Sequence, residues 1–262
     1  WDLLGKSLGR SVLELLRGPC RERVPAYASG GWGDAERIGA ELTGYVERGF
    51  RAVKMRIGAM DGSIEGSLAR VRAARRALGP DVSLMVDAHG TLSVPEAKHF
   101  CARAAELDLR WLEEPVSPDD RSGAAEVRRA STIPIAAGES EATCFDFQEL
   151  LARGALDVLQ PDLAICGGLS EGLRIAALAV AHQRELAPHC WGSAISFVAA
   201  QTLALASPAG IFVEYPMGAD PLLRELPEQD LAPRQGFLGR PAGPGWGIDL
   251  KPAFIEKYAE TT

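Results

Sequence analysis

The amino-acid sequence predicts an α/β fold in which parallel strands close into a barrel. Short apolar strands alternate with helical segments along the chain, and this alternation favours a parallel sheet. Eight strands can be counted from Tyr27 onward, at intervals of roughly one βα unit. The length of 262 residues is close to the about 250 residues of a typical α/β barrel. A dinucleotide-binding sheet is disfavoured because the first βα turn lacks a G-x-G-x-x-G fingerprint.

The chain divides into three predicted parts. Apolar residues recur at helical spacing over residues 1–18, which predicts one helix there. We expect residues 1–22 to be the end of a region that precedes the barrel, and residues 23–215 to form the barrel itself. Residues 216–262 are rich in Pro and Gly near their end, so we expect an irregular segment that packs on the barrel.

The first half of the barrel can be assigned element by element. A strand over residues 24–28 runs into a Ser-Gly-Gly turn, and Asp34 is a suitable N-cap for the helix that follows. The next elements are a helix up to Arg48, a strand over 52–57, a helix over 63–78, a strand ending at Asp87 and a helix over 94–107.

Composition and charge exclude several classes of partner. The net charge is −7, which argues against binding to nucleic acid or to an anionic membrane surface. No apolar run is long enough to span a bilayer, and no signal peptide is found. The five cysteines form no C-x-x-C pair, so we expect reduced thiols and a cytoplasmic protein. A small-molecule ligand is therefore the predicted partner.

Ionisable residues stand at the carboxyl ends of the predicted strands. In the run Leu84–Gly90, Asp87 and His89 are two residues apart and therefore share one face. Because the carboxyl ends of barrel strands converge on one mouth, we expect all such residues to share a single pocket. The set comprises Lys54, Arg56, Asp87, His89, Glu114, Glu139, Asp162, His189 and Glu214.

Two chemistries are predicted for this pocket. The carboxylates of Asp87, Glu114 and Glu139 provide an all-oxygen site that suits Mg²⁺. The alternative is that each carboxylate pairs with a neighbouring Lys or Arg. Asp162 can fix the tautomer of His189 and raise its basicity, which would make His189 a general base near neutral pH.

Taken in order, these motifs resemble those of the enolase superfamily, in its mandelate racemase subgroup. The resemblance rests on Val53-Lys54-Met55-Arg56, Asp87, Glu113-Glu114-Pro115, Gly138-Glu139, Gln160-Pro161-Asp162, His189 and Glu214. It implies a (β/α)₇β barrel, Mg²⁺ on the third-, fourth- and fifth-strand carboxylates, and removal of the proton α to a substrate carboxylate. It also implies an N-terminal capping domain, which we expect to be missing from this chain.

Two departures from the family pattern sharpen the expected reaction. Racemases of the family carry Lys-x-Lys on the second strand, but Arg56 occupies the second lysine position. Arginine is a very poor base, so Arg56 and Lys54 are expected to bind the substrate carboxylate or stabilise the enediolate. Asp-x-His-Gly resembles the third-strand motif of some acid-sugar dehydratases, in which this histidine is a general acid. His89 could instead be only a hydrogen-bond partner of a carboxylate.

The expected function is therefore that of an Mg²⁺-dependent dehydratase of a sugar acid. The product would be a 2-keto-3-deoxy acid, and we expect a homo-oligomer. Racemisation, epimerisation or lactone cycloisomerisation of a hydroxy acid is the alternative reaction. A non-catalytic barrel is a further alternative, which the complete set of metal and base residues disfavours.

Overall fold

The computed structural model describes residues 1–16 and 18–258, in which strands and helices alternate regularly. The strands are β1 (Val24–Gly30), β2 (Ala52–Arg56), β3 (Ser83–Asp87), β4 (Leu109–Glu113), β5 (Ile135–Ala137), β6 (Val158–Leu159), β7 (Glu185–Leu186), β8 (Val213–Pro216) and β9 (Phe237–Leu238). The helices are α1 (Asp2–Leu8), α2 (Val12–Leu15), α3 (Ile38–Glu47), α4 (Ile64–Leu78), α5 (Val94–Ala104), α6 (Arg121–Ala130), α7 (Cys144–Arg153), α8 (Gly168–Ala181), α9 (Ala194–Ala206), α10 (Pro221–Arg224) and α11 (Pro252–Tyr258).

The eight strands β1 to β8 form a (β/α)₇β barrel, as predicted. Each strand from β2 to β7 pairs in parallel with its sequence neighbour, and β1 also pairs with β8. The closure between β7 and β8 is thin. Among the described residues, it consists of one parallel bridge between Leu186 and Gly210, just before β8 begins. We refer to this junction as the seam.

The N-terminal helix is broken, contrary to the prediction of one helix over residues 1–18. Gly9 ends α1 with a left-handed backbone (φ 63°), and its amide donates back to the last turn. Ser11 then begins α2 with a capping box, because its hydroxyl accepts from the Glu14 amide while the Glu14 carboxylate accepts from the Ser11 amide. Two strong capping signals side by side therefore override the continuous apolar spacing.

The first βα turn also differs from its prediction. Strand β1 continues through Ser29 and Gly30 instead of ending at Ala28, because it pairs with β2 as far as Gly30. The Asp34 side chain accepts from the amides of Glu36 and Arg37. It therefore caps a turn, and α3 begins only at Ile38.

The interior of the barrel is filled by a layer of largely apolar side chains, one from each strand or its end. Trp111 and Tyr27 contact edge to face, with ring centroids 5.5 Å apart. We call this layer the floor. Its buried members are Tyr27, Ala52, Met85, Trp111, Ala136, Val158 and Ala187, and the partly buried Phe212 packs against it.

The segment after β8 folds back on the barrel. Strand β9 pairs antiparallel with the start of β1, with Val24 opposite Leu238. The Trp246 amide donates to Asp2, which ties this segment to α1. The division of the chain at residues 22 and 215 remains a prediction. Within the described ranges, every helix is too short or too polar to cross a lipid bilayer.

Candidate active site

The polar residues of the site lie directly above the floor. Side chains of a strand alternate between its two faces, so the residue two positions after each floor residue also points inward. This step leads from Ala52 to Lys54, from Met85 to Asp87 and from Trp111 to Glu113. We call the resulting set the site layer. It consists of Ser29, Lys54, Asp87, Glu113, Gln160, His189 and Glu214.

Lys54 is at the centre of the site layer and is almost completely buried. Its ammonium group contacts Glu113 Oε1, lies 2.9 Å from Glu214 Oε1 and lies 3.6 Å from Asp87 Oδ2. The other oxygen of Glu113 accepts from Trp111 Nε1 at 3.0 Å and from Gln160 Nε2 at 2.7 Å. A buried cation thus holds three carboxylates, and the donors around Glu113 fix its orientation.

This arrangement determines the charge state of Glu214. Burial alone would raise its pKa, but the positive charges of Lys54 and His189 lower the pKa to about 2. The Cys190 amide also donates to Glu214 at 3.0 Å. For Lys54, burial is outweighed by Glu113 and Glu214, which raise its pKa well above the ordinary value. Both groups are therefore ionised at neutral pH.

A second group of side chains lies at the rim of the pocket. Ligand atoms of His89, Glu114 and Glu139 lie within 4.8 Å of one another. His89 Nδ1 is 3.7 Å from Glu114 Oε2 and 3.4 Å from Glu139 Oε1. We call these three residues the rim cluster. The structure thus brings together two of the predicted metal ligands, with the predicted general acid between them.

Glu114 is placed in the rim cluster by an unusual backbone conformation. It follows β4 and has φ 38°, a region that non-glycine residues rarely adopt. Its Oε1 is buried and has no hydrogen-bond partner among the described residues. Burial, together with the negative charges of Glu139, Glu113 and Asp87, raises the pKa of Glu114 to about 8. The negative charges around this carboxylate therefore outweigh the opposing effect of His189.

Asp87, the third predicted metal ligand, belongs to the site layer and is not part of the rim cluster. It is opposite Arg56 on β2 and opposite Glu113 on β4. Arg56 Nη1 donates to Asp87 Oδ1 at 3.3 Å, and the His89 amide donates to the same oxygen at 2.8 Å. Burial and the charge of Glu113 raise the pKa of Asp87, despite the opposing effects of Lys54 and Arg56.

His189 and Asp162 form a hydrogen-bonded pair on the opposite side of the pocket. They lie just after β7 and β6, and His189 Nδ1 is 2.7 Å from Asp162 Oδ2. Because the carboxylate accepts, Nδ1 carries the hydrogen and Nε2 is the atom left to exchange protons. Burial lowers the pKa of His189, but Glu214, the bond to Asp162 and Glu139 together raise it to about 9.

The pocket between these groups has a volume of about 370 Å³. Its walls include two tryptophans that were not among the predicted site residues. Trp32 follows β1 and Trp191 follows β7, and both are about half exposed, at 49% and 46%. The Arg56 guanidinium lies over the Trp32 ring, 5.3 Å from the ring centroid. Arg56 thus contacts Asp87 through its Nη1 and lies over the Trp32 ring.

Three further residues of the site layer, Ser29, Glu113 and Gln160, were not among the predicted site residues. Glu113 and Gln160 occur in the sequence motifs, but the predicted site residues of those motifs are Glu114 and Asp162. Strand alternation counted from Trp111 and Val158 places Glu113 and Gln160 on the inward face, so a sequence signal was available. The φ of Glu114, which brings a second carboxylate of the same turn to the pocket, has no such signal.

The rim cluster and Asp87 suit a divalent cation with a preference for oxygen. Two carboxylates of the rim cluster are near one another and one has a buried oxygen without a partner among the described residues. Burial and the negative charges of Glu139, Glu113 and Asp87 raise the pKa of Glu114. Mg²⁺ would neutralise this excess of negative charge and accept the free oxygen. The imidazole of His89 is a softer ligand that Mg²⁺ prefers less.

Comparison with known proteins identifies relatives over nearly the whole chain. The profile of the family described as enolase C-terminal domain-like matches residues 37–254. A D-galactarolactone cycloisomerase of Agrobacterium fabrum is 36% identical over 95% of this chain and 69% of its own length. An L-rhamnonate dehydratase of Saccharopolyspora erythraea is also 36% identical, over 96% of this chain and 64% of its own length.

Solved structures give the same result. A 3,6-anhydro-D-galactonate cycloisomerase from Zobellia galactanivorans superposes with a TM-score of 0.92 and 33% identity. The match covers 100% of this chain and 73% of that one. The similar proteins thus include both sugar-acid dehydratases and cycloisomerases.

Proposed function

The chain belongs to the enolase C-terminal domain-like family, and from this membership we propose that it is an Mg²⁺-dependent dehydratase of a sugar acid. The observation that carries the proposal is the position of His189. Its Nδ1 is bound to Asp162, and its Nε2 lines the pocket 3.4 Å from Glu139 and 3.7 Å from Glu214. A base held in one tautomer beside a carboxylate cluster suits removal of a proton α to a carboxylate.

We propose Asp87, Glu114 and Glu139 as the residues that hold Mg²⁺. When bound, the cation supplies positive charge beside the substrate carboxylate as that group gains negative charge. Glu113 is a second carboxylate of the same turn, but its oxygens already contact Lys54, Trp111 and Gln160. Glu114 is preferred because its Oε1 has no such partner among the described residues.

The remaining residues have separate roles in the proposed reaction. The neutral form of His189 accepts the proton of the substrate α-carbon at Nε2, and Asp162 stabilises the imidazolium that results. The positive charges of Lys54 and Arg56, which line the pocket, stabilise the enediolate. His89 then donates a proton to the β-hydroxyl, the carbon–oxygen bond breaks and water leaves. The enol becomes a 2-keto-3-deoxy acid when it takes up a proton at the β-carbon.

One observation favours a second candidate, a lactone cycloisomerase. Nδ1 of His89 faces two carboxylates at 3.4 and 3.7 Å, so His89 can be a partner of the rim cluster without acting as an acid. Ring opening or closure by the same enediolate needs no departing hydroxyl. A racemase is disfavoured because Arg56 is a very poor second base.

The distinguishing experiment follows product and isotope exchange across a panel of sugar acids and their lactones in Mg²⁺. The dehydratase forms a 2-keto acid, detected by NMR. In His89→Asn, product formation falls by about 10²–10⁴-fold while solvent deuterium still exchanges at the α-carbon. His99→Asn, an exposed histidine on α5, is the control.

A product isomeric with a lactone substrate, formed without loss of water, would assign the cycloisomerase instead. An His89→Asn variant with full dehydratase activity would remove His89 from the mechanism. The lack of any Mg²⁺-dependent turnover on the panel would contradict both candidates.

A further inference from the structure

The loop between β5 and α7 carries Glu139 and is pinned at both ends. At its start, Gly138 has φ 132°, and a Cβ there would lie 2.5 Å from the Phe147 ring of α7. The glycine therefore allows the backbone to lie directly against the helix. Two residues after Glu139, the side chain of Glu141 turns inward and is only 8% exposed. Glu139 thus lies between two fixed points.

The second fixed point depends on a residue of a different helix. Arg121 is the first residue of α6, and its Nη2 donates to Glu141 Oε2 at 2.7 Å and to Asp146 Oδ1 at 2.9 Å. Its Nη1 contacts Glu149. Asp146 in turn accepts from the Ala142 amide at 3.1 Å. One guanidinium thus joins α6, the loop and α7.

Burial makes this contact specific for Glu141. Among the residues that the structure describes, Arg121 is the only cation within 4.0 Å of the Glu141 carboxylate. A buried carboxylate without its partner is costly and turns toward water. Asp146 and Glu149 are more exposed, at 30% and 45%, so solvent can replace Arg121 for them. Loss of Arg121 therefore releases mainly the loop that carries Glu139.

We propose that Arg121 is a positioning residue that sets the Glu139 carboxylate for Mg²⁺ through Glu141. The inference rests on the proposed function, because it requires Glu139 to be a metal ligand. Hydrogen-bonded groups behind metal ligands commonly affect metal affinity by about 10–100-fold. Arg121 is three links from Glu139, because Arg121 binds Glu141, Glu141 fixes the loop, and the loop carries Glu139.

The test compares two arginines of the same ion cluster. Arg153 on α7 also contacts Glu149 and donates to Ser122, but it does not contact Glu141. Mg²⁺ affinity is measured by calorimetry on the full 262-residue chain. We expect Arg121→Met to weaken binding by about tenfold, the lower end of the range for groups directly behind metal ligands, and Arg153→Met to change it by less than about twofold. Arg121→Lys should recover part of the affinity, because it restores the charge but not the two-pronged geometry.

The outcomes separate this inference from the proposed function. Mg²⁺ binding by the unaltered chain with equal affinity in Arg121→Met would overturn the inference alone. Lack of Mg²⁺ binding by the unaltered chain would overturn the proposed function and the inference together. Glu141→Gln covers the case in which Arg121→Met does not fold. It keeps a hydrogen-bonding group but loses the charge, and unchanged affinity in that variant would also overturn the inference.

Discussion

Glu214 and Glu114 are both buried carboxylates at strand ends of the candidate site, yet their pKa values move in opposite directions. Glu214, near Lys54 and His189, has a pKa lowered to about 2, whereas the pKa of Glu114 is raised to about 8. Burial acts in the same direction on both, so the difference comes from their neighbours. The Lys54 side of the pocket contains its own cation, and the rim cluster faces other carboxylates. The excess of negative charge is therefore at the rim cluster, and this is where we propose that Mg²⁺ binds.

The largest expected effect comes from replacing His189, which lies near Glu139 of the rim cluster and near Glu214 on the Lys54 side. His189→Asn should reduce product formation by at least about 10²–10⁴-fold and abolish α-deuterium exchange, because no other imidazole is bound to Asp162. NMR of the substrate in D₂O measures both quantities. His182→Asn, an exposed position after α8, is the control. Residual exchange at the normal rate in His189→Asn would assign the base to Lys54.

A second variant tests the Lys54 side of the pocket, where a buried cation balances buried carboxylates. Lys54→Met leaves Glu113 and Glu214 buried without their cation, so the free energy of unfolding in EDTA should fall by about 3–5 kcal/mol. Urea unfolding measures this change. Lys98→Met, which removes an exposed pair with Glu126, should cost less than about 1 kcal/mol. Equal losses in the two variants would show that Lys54 is not the residue that balances these carboxylates.

A third variant, Glu114→Gln, tests the rim cluster, where carboxylates face one another. The raised pKa of Glu114 means that its carboxyl group is mostly protonated at pH 7 without metal, and Mg²⁺ must displace that proton. Calorimetry in buffers of different ionisation enthalpy should show more proton release on Mg²⁺ binding by the unaltered chain than by Glu114→Gln at pH 7. Mg²⁺ affinity should also fall by about tenfold or more in Glu114→Gln.

The same shift has a defined sign for stability. A pKa raised from 4.5 to about 8 stabilises the metal-free fold at low pH, and this contribution is lost as pH rises through that range.

Two further variants complete the measurement of Mg²⁺ affinity in Glu114→Gln. Glu126→Gln is the control, and Glu113→Gln tests whether Glu113 is the metal ligand instead. Loss of Mg²⁺ affinity in Glu113→Gln but not in Glu114→Gln would transfer the ligand role to Glu113.

The smallest expected effect concerns the wall of the pocket. Trp32→Leu removes the ring beneath the Arg56 guanidinium, 5.3 Å away. A partly exposed contact of this kind contributes about 0.5–1 kcal/mol, so KM should rise by about two- to fivefold with little change in kcat. Steady-state kinetics would show this split, and Trp1→Leu, in the N-terminal segment, serves as control. A large loss of kcat would indicate a role for Trp32 in the chemical step.

The sequence predicted the fold and most of the pocket because both depend on short periods. Strand alternation and the interval of one βα unit are enough to bring Lys54, Asp87 and His189 to one mouth. The break in the N-terminal helix was not predicted, because the apolar spacing is continuous there. The break depends on the C-cap at Gly9 and the N-cap at Ser11. Contacts between side chains that are far apart in the sequence were also not predicted. Neither the contact of Lys54 with Glu113, 59 residues away, nor that of Arg121 with Glu141 follows from a local pattern.

The seam between β7 and β8 has a consequence for motion. Backbone ladders resist local opening, and the junction of these two strands has a single bridge between Leu186 and Gly210. His189 follows one side of this junction and Glu214 lies on the other, linked by the Cys190 amide. Amide hydrogens of Leu186, Ala187, His189 and Cys190 and of residues 209–211 should therefore exchange with solvent faster than those of β2 and β3. The strand end that carries His189 is thus expected to open locally more often than these fully paired strands.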